Sequence, residues 1–104
     1  VRTPHLPLKL HFLVKLFFVF FFMFCTYILY SESADKYYVG STNDINSRLK
    51  KHNNKNKGYT NRSSDWKIVY KKDFVNRTDA IMFEKEIKSW KSRTMIQKLI
   101  SADI

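Results

Sequence analysis

The rhythm of apolar and polar positions changes along this chain, and each change marks an element. From Leu16 to Cys25 every residue is apolar. With Phe12-Leu13-Val14 ahead of Lys15, and Tyr27 to Tyr30 beyond Thr26, the stretch approaches the roughly 20 residues of a spanning helix. From Thr26 to Ser31 the composition becomes β-branched and aromatic, and Lys36 to Ser41 repeats that character. The polar Glu32-Ser33-Ala34-Asp35 between them suits a hairpin loop, which predicts two antiparallel strands. Thr42-Asn43-Asp44 offers capping side chains, and Ile45 with Leu49 at i, i+4 predicts a short amphipathic helix to about Asn53.

Residues 53–65 hold almost nothing apolar and read as a surface loop pinned by Tyr59. Trp66 to Phe74 alternates, setting Trp66, Ile68 and Tyr70 against Lys67, Val69 and Lys71, and predicts a third strand. Asn76 or Thr78 can cap a helix whose stripe is Ala80, Phe83, Ile87 and Trp90; Met95, Ile96, Leu99 and Ile100 mark a last short helix. The pattern predicts an α+β fold: a small three-stranded antiparallel sheet flanked by helices, in the order β-β-α-loop-β-α-α.

The first segment conflicts with the first strand, because Tyr27 to Tyr30 cannot be both a lipid-buried helix and a core strand. Keeping the strand leaves an apolar run too short to span comfortably, and no small-residue cleavage site precedes it. The chain starts with Val1, its phenylalanine-dense run is what T-rich DNA encodes, and Met23 stands just ahead of Tyr27. The expectation is therefore a domain over residues 23–104, with residues 1–22 an over-extended reading frame. A membrane anchor through residues 1–22 is the alternative, and a signal peptide the next.

A chain of 104 residues has room for one domain. Residues 26–104 carry 16 basic against 9 acidic side chains, a net of +7, which fits a polyanionic partner and equally a solvated lysine-rich surface. Cys25 is the single cysteine, which excludes an intrachain disulfide, and no Cys/His spacing fits a zinc site. A reducing, cytoplasmic setting follows as the expectation.

Chemistry-bearing side chains fall at suggestive places. Tyr27 and Tyr38 lie on the paired strands, and Arg48 and His52 share one helical face at i, i+4. Glu84 and Glu86 occupy opposite edges of the later helical stripe, so periodicity does not choose between them. Packing tyrosines, a solvated basic face and a Glu84–Lys88 ion pair account for the same residues without any site.

Taken in register, these segments resemble the GIY-YIG endonuclease superfamily. Thr26-Tyr27-Ile28-Leu29, Tyr38-Val39-Gly40-Ser41-Thr42, Asn43-Asp44-Ile45 with Arg48-Leu49, and His52-Asn53 carry the likeness. Gly58-Tyr59-Thr60, Trp66 to Tyr70, and Ala80 through Glu84 to Ile87-Lys88 continue it across residues 25–100. The chain looks most like the short, stand-alone bacterial members, similar to the catalytic domain of the excision-repair nuclease subunit.

The resemblance implies catalytic roles for Tyr27, Tyr38, Arg48, His52 and Glu84. One tyrosine would deprotonate the attacking water while the other orients it or binds phosphate. An unperturbed phenol near pKa 10 needs a nearby cation for the basic role. Arg48, ten residues after Tyr38, would hold the scissile phosphate, His52 would hydrogen-bond a tyrosine or the phosphate, and Glu84 rather than Glu86 would ligate Mg²⁺ (or Mn²⁺). Gly40 would admit close backbone approach, and Lys50, Lys51, Lys55, Lys57 and Arg62 would contact DNA phosphates without reading sequence.

Two departures stand out: Cys25-Thr26 replaces the family's Gly-Ile, and no asparagine follows Asn76 where many members carry a late one, Gln97 being the nearest substitute. The implied function is a divalent-metal-dependent endonuclease acting on duplex or branched DNA in repair, recombination or processing, with a protein partner for targeting as a further expectation. The alternatives are a catalytically weak nucleic-acid-binding module of the same fold and a membrane-tethered small protein of other function.

Overall fold

A computed structural model describes residues 7–54 and 63–102 of the chain. Its elements are α1 (Leu8–Phe22), β1 (Phe24–Ser31), β2 (Lys36–Thr42), α2 (Ile45–Asn53), β3 (Trp66–Phe74), α3 (Arg77–Trp90) and α4 (Arg93–Ala102). The strands form one antiparallel sheet in the order β2-β1-β3, as the sequence predicts. The expected loop with its Tyr59 falls largely outside the described residues.

β1 is the central strand, so both of its faces must be covered, and its residues from Cys25 to Leu29 are all buried. Successive side chains alternate between faces. Cys25, Tyr27 and Leu29 point to one side, where they pack with Trp66 against Ile45 and Leu49 of α2. Ile28 points to the other with Val39 and Tyr70, against Ile87, Phe83 and Trp90 of α3 and Ile96, Leu99 and Ile100 of α4.

Trp66 and Tyr70 therefore face opposite sides of the sheet, contrary to the simple alternation. The cause is a bulge: Leu29 pairs with Ile68 and Ile28 with Tyr70, leaving Val69 as the extra residue. One inserted residue reverses the facing of everything beyond it. The bulge lets a single short strand donate an aromatic ring to each core, while Ile68 is left half-exposed.

Side-chain hydrogen bonds fix the helices on this sheet. Thr26, fully buried, donates from Oγ1 to the carbonyl of Ala80 at 2.7 Å, and Ala80 itself is fully buried. The hydroxyl that stands where the family has isoleucine is thus satisfied by α3, and a small residue allows the close approach. Asp44 caps α2 by accepting from the Ser47 amide at 3.2 Å, and Asn76 caps α3 by accepting from the Asp79 amide at 2.9 Å. At the end of α2, Asn53 clamps β3 in amide fashion: Oδ1 accepts from the Trp66 amide at 2.8 Å and Nδ2 donates to the Trp66 carbonyl at 3.1 Å.

The hairpin is tied down in the same way. Asp65 accepts from Ser31 and from the Ser33 hydroxyl and amide, which holds its carboxyl down at about 2. Asp35, in the left-handed region at φ 52°, accepts from the Tyr30 hydroxyl at 2.6 Å and from Arg93 of α4. No helix among the described residues is long and apolar enough to cross a membrane.

Candidate active site

Around Tyr27 the candidate residues come together. Its ring is almost fully buried on the α2 face, and its hydroxyl lies 3.2 Å from Nε2 of His52, one turn after Arg48 on α2. Tyr38 stands beside both, its ring centroid 6.3 Å from that of Tyr27 and 4.5 Å from the imidazole. The pairing of β1 with β2 sets Tyr27 opposite Gly40, and this explains the glycine. A Cβ at Gly40 would lie 2.6 Å from the Tyr27 hydroxyl oxygen and 2.7 Å from Cζ, so the phenol crosses the space a side chain would fill.

Electrostatics link the cluster to Arg48. Burial raises the Tyr27 pKa well above that of a free phenol, and Tyr38 adds to the rise while Arg48 opposes it. The phenol is therefore neutral at physiological pH. Burial also lowers the His52 pKa, with the Arg48 guanidinium pushing the same way, so the imidazole is neutral as well. In the tautomer with its proton on Nδ1, Nε2 accepts from the Tyr27 hydroxyl. Arg48 is the charge that Tyr27 and His52 both sense.

The structure also separates the two glutamates that periodicity leaves equivalent. Glu84 turns toward the sheet, where Oε1 accepts from the Ser41 hydroxyl at 2.5 Å and Oε2 holds the Lys88 ammonium at 2.5 Å. Glu86 is exposed. Tyr27, Tyr38 and His52 belong to the α2 face of the sheet, whereas Ser41 and Glu84 lie toward α3; the two groups meet because β2 is an edge strand. At its end a polar cavity of about 330 Å³ opens, bordered by Ser41, Thr42, Asn43 and Arg48.

A divalent cation fits this donor set. The Lys88 ammonium on Oε2 is a stand-in cation, and the Glu84 side chain remains 18% exposed. Among the described residues no three His, Cys, Asp or Glu side chains cluster to hold a metal. The chain would thus offer a single carboxylate, with water and phosphate oxygens completing the shell, an arrangement that suits Mg²⁺.

Lys50 and Lys51 are exposed in the last turn of α2, the helix that carries Arg48. Lys55, Lys57 and Arg62 lie outside the described residues. Gln97 is exposed on α4. Sequence reasoning gave no role to Ser41, although it orients Glu84, nor to Arg77, which also borders the cavity. The spacing held a signal for Arg77: it precedes Glu84 by seven residues, two helical turns, and so shares its face of α3.

The sequence profile of the GIY-YIG catalytic domain matches residues 23–98, most of the chain. The protein belongs to the GIY-YIG family, whose members are nucleases that cleave DNA. No curated protein and no solved structure shows a significant match.

Proposed function

We propose that this protein is a divalent-metal-dependent endonuclease that hydrolyses DNA phosphodiester bonds. The reading is carried by the convergence around the end of β2 of the Tyr27–His52 pair, Arg48 and the Ser41-held Glu84. Arg48 binds the scissile phosphate through its planar fork and stabilises charge as it develops. The attacking water passes its proton to the Tyr27 oxygen as the Tyr27 hydroxyl passes its own to Nε2 of His52. The phenol ends neutral and the imidazole cationic, so a tyrosine whose pKa is raised need never become a free phenolate.

Substrate itself favours that transfer. Arg48 disfavours the imidazolium in the free protein, and a phosphate on Arg48 offsets the repulsion and makes His52 more basic. Tyr38, packed on the imidazole, orients the water. Glu84 would hold the metal, which when bound would polarise the phosphate and stabilise the departing oxygen. Lys50 and Lys51, joined by Lys55, Lys57 and Arg62, grip the backbone without reading bases, which favours DNA structure over sequence as the feature recognised.

The test is Mg²⁺-dependent cleavage of single-stranded, duplex and branched DNA, with Arg48→Ala and Glu84→Ala as controls. Cleavage by the wild type that both substitutions abolish supports the reading. Equal inactivity of all three, with salt-sensitive DNA binding retained, would make the protein a binding module instead.

A further inference from the structure

We infer that the polar cavity at the end of β2 seats two neighbouring backbone phosphates, with Arg48 on the scissile one and Arg77 on the next; this rests on the nuclease reading above. The cavity brings guanidiniums from α2 and α3 to one space with no carboxylate in its wall. Among the described residues, the side chains of Arg48 and Arg77 make no hydrogen bond and no ion pair. Three other cations are paired, Lys71 with Asp73, Lys88 with Glu84 and Arg93 with Asp35. Two uncompensated guanidiniums in one cavity repel each other until an anion enters.

Of the remaining polar wall, Ser41 is engaged with Glu84, while Thr42 and Asn43 supply neutral partners of the kind phosphate oxygens accept. At about 330 Å³ the cavity has the room of about ten water molecules, more than one phosphate group fills. Arg77 begins α3, and Glu84 lies two turns further along the same face, about 10 Å by helical rise. A phosphodiester chain held by Arg48 near Glu84 can therefore continue along α3 toward Arg77. The helix end does not account for this preference, because Asn76 already caps it.

The test uses the full chain and a fluorescein-labelled 20-base-pair duplex in EDTA, where cleavage is silent. Binding is followed by anisotropy across a salt series. Each phosphate contact contributes about 0.9 to the slope of log affinity against log salt. Arg77→Gln and Arg48→Gln should each lower that slope by about 0.9, and the double variant by about 1.8. Arg77→Lys should keep the slope while weakening affinity, and Lys98→Gln on the exposed face of α4 should change both least. Arg77 is exposed, so melting curves should superimpose.

An Arg77→Gln slope equal to wild type overturns the inference and leaves the nuclease reading standing. A double variant no worse than either single means one shared phosphate, and likewise overturns it. A wild-type protein that does not bind the duplex overturns the inference, while the nuclease reading is decided by the cleavage assay on single-stranded and branched DNA.

Discussion

Replacing Gly40 by alanine should destabilise the domain, although the same change at an open strand position would do the opposite. Gly40 has no left-handed backbone to excuse it. Glycine to alanine at an unstrained site ordinarily stabilises by about 0.4–1 kcal/mol through the unfolded chain. Here the new methyl would sit 2.6 Å from the Tyr27 oxygen and 2.7 Å from Cζ of a ring only 2% exposed. Overpacking of that kind costs about 1–3 kcal/mol. Net destabilisation of up to about 2.6 kcal/mol is expected, lowering the melting temperature by up to about 20 °C at about 4–8 °C per kcal/mol.

Thermal unfolding followed by circular dichroism measures the change, and a second background isolates its cause. In Tyr27→Leu the side chain stops short of the ring tip, so Gly40→Ala should become neutral or stabilising. Cleavage should fall with Gly40→Ala in the wild-type background, because the displaced phenol leaves His52. An equal penalty for Gly40→Ala in both backgrounds would refute the argument, since the ring would then not be what fills the glycine's space.

Three further outcomes follow from the geometry. The folded pKa of His52 is depressed, so its contribution to stability is complete above the unfolded value near 6.5 and is lost as pH falls below it; melting temperatures from pH 5 to 8 should vary less in His52→Gln, and an unchanged slope would count against a buried, neutral imidazole. Asn53→Ala removes two bonds to the Trp66 backbone and should cost about 1–3 kcal/mol in chemical denaturation, with cleavage falling because α2 carries Arg48 and His52; an intact denaturation midpoint would deny the clamp. Lys88→Met frees Glu84 from an ion pair worth about 0.3–0.5 kcal/mol, so Mn²⁺ affinity by calorimetry should rise about twofold, and a fall would indicate that Lys88 assists the metal instead of competing with it.

The order of elements was legible because each rests on a local signal: paired β-branched strands, capped helices and their apolar stripes. The bulge at Val69 was not, since an inserted residue leaves the period-2 pattern of Trp66 to Tyr70 looking intact while reversing which face Tyr70 meets. At the site, resemblance singled out Tyr27, Tyr38, Arg48, His52 and Glu84, and the fold brings the first two onto His52 through strand register. Ser41 escaped notice because its partner is 43 residues away, joined only when α3 folds back on the sheet. The depression of His52 and the rise of Tyr27 come from burial, which no spacing of residues encodes.

The position of β2 at the margin of the sheet limits how this domain can grow. The groups of the α2 face meet those of the α3 face only around that margin. A neighbouring chain that extended the sheet by pairing with β2 would cover the route by which a nucleic acid reaches both. The margin at β3 lies away from that meeting point, although at Trp66 Asn53 already holds the outward backbone amide and carbonyl. Any enlargement of this architecture by strand addition that preserves cleavage must therefore proceed from β3, and a peptide designed to pair along β2 would act as an inhibitor without touching a single proposed catalytic side chain.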